Sequence, residues 1–301
     1  MTKKIAYIFP GQGSQSIGMG ADLAHDFQEA KDVFQEVDEA LHQNLSQLMF
    51  NGDLAELTQT QNAQPAIMAV SMAVWRVLRA QGFSKPDAVA GHSLGEYSAL
   101  CAAGVLSLTD TAKLLQARGL AMAKACETEK GGMLALLGAT PEQAIEIADK
   151  TGCYVANDNA PGQIVLSGSL SSLEKSKEMA EQMAIKRAIP LQVAGAFHSP
   201  LMQSAADEMA PILKKTNFSA PTIPVFFNVT AKEDMDPAHY ADLLTRQIIS
   251  PVRWRELVQN MNITDFVECG PGVVLAGLVR RIVPDVLVKS IGTSEQIKNG
   301  N

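Results

Sequence analysis

The sequence predicts an α/β fold in which a large domain with a mostly parallel sheet carries a smaller inserted subdomain. Short apolar runs alternate with helical patterns over most of the chain, as in sheets whose strands are connected by helices. In the middle of the chain the pattern changes to β-α-β-β-α-β. We therefore predict a large domain over residues 1–130 and 194–301 and an inserted subdomain over residues 131–193.

Composition and charge restrict the function classes. With 301 residues the chain can bury a large core, and 47% hydrophobic with 19% charged residues is typical of a soluble globular protein. A net charge of -7 argues against a general nucleic-acid binder, which needs a basic face. It also means that an acidic partner would dock only on a local basic patch.

Cysteine and histidine usage gives no sign of a metal site. The four cysteines lie far apart without a Cys-x-x-Cys spacing, and the five histidines are scattered. Free thiols in a reducing compartment are the simplest interpretation. The N-terminal apolar run ends at Pro10, too early for a signal peptide, and no apolar run reaches membrane-spanning length. We expect a cytoplasmic protein without a metal, a permanently bound cofactor or a membrane contact.

Residues 5–9 predict the first buried strand, and a glycine-rich loop over residues 10–15 follows it directly. Such a loop lets backbone N–H groups approach a ligand or an oxyanion, although a tight turn explains it equally well. An amphipathic helical pattern follows over residues 27–41. We expect Pro65 to open the next helix, which is apolar nearly all round and therefore buried.

Residues 91–95 read Gly-His-Ser-Leu-Gly, with an apolar run before them and a helical pattern rich in Ala and Leu after them. This layout is typical of a nucleophile elbow, in which a sharp strand-to-helix turn presents the serine of an α/β-hydrolase-like domain. The helix N-terminus behind Ser93 would stabilise developing negative charge. A purely structural turn is the less favoured alternative.

Arg118 lies in a predicted helix that Thr109 and Asp110 are expected to cap. It is one turn from Leu114 and Met122, and therefore on or beside an apolar face. A guanidinium in that position either extends to water or awaits a carboxylate. Helical spacing alone leaves both interpretations open.

The inserted subdomain has the element order of a ferredoxin-like unit. Its predicted strands cover residues 133–137, 153–156, 163–167 and 185–191, and its predicted helices cover residues 141–150 and 173–183. A turn over residues 157–162 separates the second and third strands.

His198 is the candidate general base for Ser93, since a serine hydroxyl needs one and histidine is the usual choice. It stands at a loop-to-helix junction directly after the insert, where a cleft is expected. The choice rests partly on elimination of the other histidines. Beyond it we predict strands at residues 225–229 and 265–268, helices at residues 237–249, 253–261 and 273–282, and a frayed polar tail from Thr293.

Six motifs in order along the chain resemble the signature of malonyl-CoA:acyl carrier protein transacylases. They are Phe9-Pro10-Gly11-Gln12-Gly13-Ser14-Gln15, Gly91-His92-Ser93-Leu94-Gly95-Glu96-Tyr97, Gln116-Ala117-Arg118-Gly119, Gly195-Ala196-Phe197-His198-Ser199-Pro200, Gln247-Ile248-Ile249-Ser250-Pro251-Val252-Arg253-Trp254 and Glu268-Cys269-Gly270-Pro271-Gly272. Each motif alone is unspecific, but the combination is specific and covers nearly the whole chain. The length resembles that of the stand-alone enzymes of type II fatty acid synthesis.

The resemblance implies a catalytic set. Ser93 would be the nucleophile and His198 its general base and acid, with the backbone N–H groups of Gln12 and Leu94 as the oxyanion hole. The main-chain carbonyl of Gln247 would orient the histidine in place of a carboxylate.

It also implies a substrate-binding set and two partners. Arg118 would hold the malonyl carboxylate, with Phe197 and Met122 in the same pocket. Phe197 matches the malonyl-selective version of its motif. Malonyl would pass from malonyl-CoA to Ser93 and then to the phosphopantetheine thiol of acyl carrier protein, in a ping-pong reaction.

The acidic carrier protein would dock on Lys186-Arg187 or Arg280-Arg281, although ordinary surface charge explains either pair equally well. The sequence departs from the family pattern at two places. Val273 stands where lysine is common, and the pair Phe226-Phe227 replaces smaller residues. A monomer is one oligomeric state that the sequence leaves open.

Two other functions compete with malonyl transfer. An acyl hydrolase, or a transacylase with another acyl preference, could use the same scaffold, but a buried Arg118 does not suit a neutral acyl group. A non-catalytic protein that binds a carrier protein is disfavoured by three chemically matched groups, Ser93, His198 and Arg118.

Overall fold

A computed structural model describes residues 3–300 of the chain. Within them the strands are, in chain order, β1 (Ile5–Phe9), β2 (Ala88–Gly91), β3 (Gly131–Leu137), β4 (Tyr154–Ala160), β5 (Gln163–Ser169), β6 (Arg187–Pro190), β7 (Val225–Phe226), β8 (Glu233–Asp234), β9 (Asp265–Cys269) and β10 (Leu287–Ile291).

The helices of the same part of the chain are α1 (Ala21–Asp26), α2 (Gln28–Leu41), α3 (Leu45–Asn51), α4 (Leu54–Thr58), α5 (Thr60–Ala80), α6 (Gly95–Ala102), α7 (Leu108–Thr128), α8 (Pro141–Thr151), α9 (Leu170–Gln182), α10 (Gln203–Lys215), α11 (Tyr240–Ile249), α12 (Trp254–Asn260), α13 (Val274–Ile282) and α14 (Ser294–Lys298). Short 3-10 turns at Pro200–Met202 and Pro237–His239 precede α10 and α11. No helix of residues 3–300 is long and apolar enough to span a membrane.

The larger sheet has the strand order β10-β9-β1-β2-β7-β8. All pairs are parallel except β7 with β8, which confirms an α/β fold with a mostly parallel sheet. In the pairing of β1 with β2, Phe9 is the partner of Gly91. Because parallel strands end at the same edge, the glycine-rich loop and the serine turn leave the sheet side by side.

Residues 131–190 form a separate antiparallel sheet with the order β4-β5-β3-β6. Helices α8 and α9 cover this sheet and bury an apolar core of their own. Strand β4 also joins the larger part of the chain, because Val252 exchanges backbone hydrogen bonds with Ala156 and Asp158. Arg255 adds a bidentate ion pair to the Asp158 carboxylate, with a contact of 2.6 Å from Nη2 to Oδ2.

Helix α5 begins earlier than predicted, at Thr60 instead of Pro65. Proline removes one N–H donor from the helix, but burial of nearly the whole helix against the sheet and α7 outweighs that loss. The N-cap of α7 also differs from the prediction. The N-cap residue is Ser107, not Thr109 or Asp110, and its side chain accepts the Asp110 N–H.

The turn predicted over residues 157–162 is wrong for its first four residues, because β4 continues to Ala160. The polar side chains there suggested a loop, yet pairing on both sides satisfies the backbone of the strand. The strand predicted over residues 225–229 ends at Phe226.

The prediction of a frayed polar tail from Thr293 is wrong. The tail forms α14, which a capping box at Thr293 starts and whose Ile297 is buried. Strands β8 and β10 were not predicted. Both lie at edges of the larger sheet, where exposed, charged residues weaken the apolar pattern.

Candidate active site

Ser93 lies in the sharp turn between β2 and α6, with a φ of 52° in the left-handed region. The flanking glycines are required by close packing. A Cβ atom at Gly91 would lie 1.9 Å from the Gly95 backbone, and one at Gly95 would lie 2.2 Å from the Phe9 carbonyl oxygen. The turn therefore fixes the nucleophile candidate at the carboxyl edge of the sheet.

His198 meets Ser93 in the structure, with 2.8 Å between its Nε2 atom and the serine Oγ atom. Its Nδ1 atom lies 2.9 Å from the Gln247 carbonyl oxygen. Since a carbonyl only accepts, Nδ1 carries the proton and donates it, and Nε2 is free to accept the Ser93 hydroxyl. Burial, and secondly the nearby charge of Arg118, lower the pKa of His198 to about 3. A neutral imidazole at physiological pH suits a general base.

Arg118 is 1% exposed, so the structure excludes the interpretation that it extends to water. Its guanidinium donates to the side-chain oxygens of Gln64 at 2.7 Å and Gln247 at 2.9 Å, and to Ser93 Oγ at 3.2 Å. Its Nε–H has no partner, and no carboxylate of residues 3–300 forms an ion pair with it. A buried cation bonded only to neutral groups favours an anionic ligand.

A cavity of about 350 Å³ opens in front of these groups, between the larger part of the chain and the four-stranded sheet. Ser93, His198 and Arg118 line it together with the other predicted contacts Gln12, Phe197 and Met122. The four-stranded sheet contributes Asn157, Asn159 and Gln163, and α13 contributes Val274, Leu275 and Leu278. Apolar walls with a few convergent polar groups are typical of a small-molecule site.

Of the two predicted oxyanion donors, Gln12 lies in the glycine-rich loop and Leu94 lies in the serine turn itself, directly after Ser93. The backbone N–H groups of Gln12 and Leu94 have no hydrogen-bond acceptor within residues 3–300. The side chain of Gln12 is held by the Thr60 hydroxyl, which donates to it at 3.2 Å and itself accepts from Gln64 at 2.8 Å. The glycine-rich loop is thereby connected to the neighbour of Arg118.

Two polar residues of the site, Gln64 and Asn228, were not predicted, and Gln247 was predicted only for its main-chain carbonyl. Gln64 supports Arg118, and the side chain of Gln247 bonds both Arg118 and the Ser93 carbonyl. Asn228 accepts the Ser93 N–H at 2.8 Å. Gln64 could have been found as a polar residue in an otherwise apolar buried helix, and Asn228 as an amide at the end of a parallel strand.

The two candidate basic pairs differ in their contacts. Lys186 and Arg187 are exposed at the start of β6. Arg280 donates to the Val288 carbonyl at 2.9 Å, and Arg281 donates to the Pro161 carbonyl at 2.6 Å. Arg281 therefore also ties α13 to the turn between β4 and β5.

The residues that depart from the family pattern are not among the predicted catalytic residues. Val273 is 62% exposed beside the cavity, while Phe226 and Phe227 are buried in the core and do not line it. Among the residues that the structure describes, no group of three or more His, Cys, Asp or Glu side chains could hold a metal ion.

Comparison with known proteins was made for both sequence and structure. Residues 6–283 match the family model of the acyl transferase domain. Malonyl CoA-acyl carrier protein transacylase of Bacillus subtilis is 44% identical over 287 residues, which cover 93% of this chain and 90% of that protein. The Escherichia coli K12 protein of the same name is 39% identical over 294 residues, covering 95% of each chain.

Two solved structures give the same result. An acyl-carrier-protein-S-malonyltransferase from Bartonella henselae superimposes with a TM-score of 0.95 at 46% identity, covering 99% of this chain and 98% of that one. A malonyl-transacylase solved in complex with a type II PKS acyl-carrier protein has a TM-score of 0.95 at 36% identity, covering 99% and 100% of the two chains.

Proposed function

Because the chain belongs to the acyl transferase domain family, and within it to the malonyl CoA-acyl carrier protein transacylases, we propose that it moves malonyl groups through Ser93. It is an acyltransferase that carries malonyl from malonyl-CoA to the thiol of acyl carrier protein, a reaction of fatty acid biosynthesis. One observation supports the proposed site best: a buried arginine that forms no ion pair within residues 3–300 lies 3.2 Å from the hydroxyl of a serine–histidine pair.

The first half-reaction begins at the Ser93 hydroxyl. Its proton moves to His198 Nε2 as Oγ attacks the thioester carbonyl carbon of malonyl-CoA. The carbonyl oxygen becomes an oxyanion that the N–H groups of Gln12 and Leu94 stabilise. When the C–S bond breaks, CoA leaves as a thiol after taking the proton from His198, and malonyl stays on Ser93 as an ester.

The second half-reaction repeats these steps with another thiol. The phosphopantetheine thiol gives its proton to His198 and attacks the malonyl ester, and Ser93 recovers the proton as it leaves. The carbonyl oxygen of Gln247 stabilises the imidazolium formed in each step, since it accepts the Nδ1–H at 2.9 Å. A main-chain dipole thus takes the place of the carboxylate of a serine triad.

Recognition of the acyl group falls to Arg118. Its guanidinium faces the cavity beside Ser93, so a malonyl carboxylate would receive two parallel N–H donors and compensate the buried charge. Phe197 and Met122 close the pocket around the short acyl chain. Ser167 donates to the Phe197 carbonyl at 2.5 Å and fixes this wall.

All these roles fall to side chains and backbone groups of this chain, and we propose that the reaction uses malonyl-CoA as substrate without a permanently bound cofactor. The acidic carrier protein docks on a local basic patch, for which Lys186-Arg187 and Arg280-Arg281 remain the candidates. We propose that the enzyme works in the cytoplasm, and a monomer suffices for the reaction because one chain supplies every group of the proposed site. Four cysteines without disulfide partners support a reducing compartment.

We further infer that the chain is divided into an α/β-hydrolase-like domain over residues 1–130 and 194–301 and an inserted ferredoxin-like subdomain over residues 131–193. A nucleophile candidate at the end of a central parallel strand supports the first. The order β3-α8-β4-β5-α9-β6 with its antiparallel sheet supports the second.

The test is mass spectrometry of the protein after brief mixing with malonyl-CoA. We expect a malonyl adduct on the peptide that contains Ser93, none in Ser93→Ala, and discharge of the adduct on addition of the phosphopantetheine-bearing carrier protein. Absence of the adduct from active protein would refute the ping-pong scheme. Discharge to free malonate at the same rate with and without the carrier protein would instead identify an acyl hydrolase.

A further inference from the structure

Asn228 is a fully buried residue just beyond the end of β7 whose polar groups are all engaged. Its Oδ1 atom accepts the Ser93 N–H at 2.8 Å, and its Nδ2 atom donates to the Gly91 carbonyl at 2.7 Å. Its own N–H donates to Glu96 Oε2 at 2.6 Å, and its carbonyl accepts the Arg253 N–H at 3.2 Å. One side-chain amide thus bridges the first residue of the serine turn, Gly91, and the serine at its centre.

This bridge acts where the backbone is least relaxed. A φ of 52° at Ser93 is unfavourable for a residue with a Cβ atom and persists only where the surroundings hold it. Asn228 bonds the N–H of Ser93, and Gln247 Nε2 bonds its carbonyl at 3.0 Å. Without the amide, the Ser93 N–H would be a buried donor with no acceptor, and the turn would relax to find one.

This arrangement determines the orientation of two groups, the Leu94 N–H and the Ser93 hydroxyl. With the Ser93 N–H committed to Asn228, the next N–H along the chain, that of Leu94, donates to no group of residues 3–300. The same backbone conformation places Ser93 Oγ 2.8 Å from His198 Nε2. Asn228 itself does not line the cavity and therefore has no direct contact with a substrate there.

We propose that Asn228 is a positioning residue of the acyl transfer, which holds the serine turn so that Oγ faces the base and the Leu94 N–H faces the oxyanion. The proposal rests on the proposed function of Ser93. Glu96, buried behind the amide and accepting its backbone N–H, keeps Asn228 in place. Small displacements of a nucleophile cost about 10²-fold in rate, so the effect should be large.

Asn228→Ala removes both bonds to the turn, and Asn228→Asp keeps an acceptor for the Ser93 N–H but no donor for the Gly91 carbonyl. We expect kcat for malonyl transfer to fall about 10²-fold in Asn228→Ala, with KM for malonyl-CoA within about threefold of wild type. Asn228→Asp should recover about tenfold of that loss, as one of the two bonds remains.

The matched control is Asn62→Ala, which removes another buried asparagine whose amide donates to a backbone carbonyl, that of Glu56 at 2.9 Å. It should keep wild-type kcat. A second readout, the rate of Ser93 sulfonylation by phenylmethylsulfonyl fluoride, reports the orientation of the serine without CoA or carrier protein. It should fall in parallel with kcat.

All rates are measured at 10 °C alongside thermal unfolding, so that a folded variant is compared with folded wild type. If Asn228→Ala fails to fold, Asn228→Asp and Asn228→Ser carry the comparison. A variant with lower stability but wild-type kcat and sulfonylation rate would overturn the proposal. Failure of the wild type to form the Ser93 adduct would refute the proposed function instead, so the two failures are distinguishable.

Discussion

At the scale of single residues, the site is organised around the buried charge of Arg118, which forms no ion pair within residues 3–300. Arg118 bonds two amide oxygens and a hydroxyl, and its burial would be costly without an anion to complete the set. The same charge acts on His198, whose pKa it helps to keep far below its usual range. In the proposed mechanism, recognition of the malonyl carboxylate and the protonation of His198 therefore both depend on the Arg118 guanidinium.

Arg118→Ala should shift acyl selectivity from malonyl-CoA towards acetyl-CoA. The variant loses the donors for the malonyl carboxylate and leaves an apolar space in which acetyl fits as well. Truncation of one partner of a buried charge pair costs about 2–5 kcal/mol, so kcat/KM for malonyl-CoA should fall at least about 30-fold while the acetyl-CoA to malonyl-CoA ratio rises. Steady-state kinetics with both thioesters measure this, and unchanged selectivity would contradict the assigned role.

Burial, and secondly the charge on Arg118, lower the pKa of His198, so the charge on Arg118 should also shift the acid limb of serine reactivity. A positive charge disfavours the imidazolium, so its removal raises the pKa of His198. With phenylmethylsulfonyl fluoride, a neutral reagent, the wild-type Ser93 rate should show no histidine ionisation between pH 5 and 8. Arg118→Gln should lose reactivity at a higher pH than wild type.

The control for this experiment is Arg246→Gln, which removes an exposed arginine paired with Asp242. Its pH profile should superimpose on that of the wild type. A limb at the same pH in Arg118→Gln and wild type would show that burial alone sets the pKa of His198.

What the sequence could reveal about the site depended on local signals. Ser93 and His198 stand in motifs with their own spacing, and the structure brings their side chains within 2.8 Å. Gln64 and the side chain of Gln247 act only through contacts made by distant helices. Gln64 stands out in the sequence as a polar residue in an apolar helix, but no local pattern encodes which amide faces a guanidinium, so these partners could be seen only in the folded structure.

At the scale of elements, prediction succeeded for helices and strands whose buried faces give a clear apolar pattern in the sequence. It failed for strands that are held by backbone pairing and have no such pattern. The central strand Ile5–Phe9 and helix α2 carry strong apolar patterns and lie where expected. Strand β4 contains Asn157 and Asp158, which read as a turn, and only its pairing partners make it a strand. Helix α14 is too short for a periodic signal, although its capping box is visible in the sequence.

A pair of glycine substitutions tests the packing of α6 against β1. Gly95→Ala would place a methyl group 2.2 Å from the Phe9 carbonyl oxygen and should lower the free energy of unfolding by more than about 3 kcal/mol. Gly277 lies in α13, where an added Cβ would meet no atom of residues 3–300 within 4 Å apart from its chain neighbours and the helix's own backbone, and Gly277→Ala should raise the free energy of unfolding by about 1 kcal/mol through helix propensity.

Urea unfolding of the two variants and wild type gives the comparison. Gly277→Ala is the matched control, since it makes the same chemical change in a helix that has room for it. Equal effects of the two substitutions would show that the close approach of α6 to β1 does not limit stability. Loss of folded Gly95→Ala protein would agree with the expected direction.

At the scale of the whole molecule, the cavity depends on how the four-stranded sheet is fastened to the larger part of the chain. Backbone bonds of Val252 fasten β4, and the ion pair between Arg255 and Asp158 reinforces them. Arg281 makes a further contact, to the turn after β4. Since Asn157 and Asn159 of β4 line the cavity, the same fastenings determine how closely its walls exclude water.

Loosening this attachment should increase hydrolysis of the malonyl enzyme more than it changes its formation. Arg255→Ala removes a partly buried ion pair worth about 1 kcal/mol, which corresponds to about fivefold in the population of opened molecules. Release of free malonate from the Ser93 adduct should rise by about that factor, while the rate of adduct formation stays near wild type. Arg246→Ala, which breaks an exposed pair on α11, should leave both rates unchanged. An unaltered ratio of hydrolysis to transfer in Arg255→Ala would mean that the larger part of the chain alone keeps water from the ester.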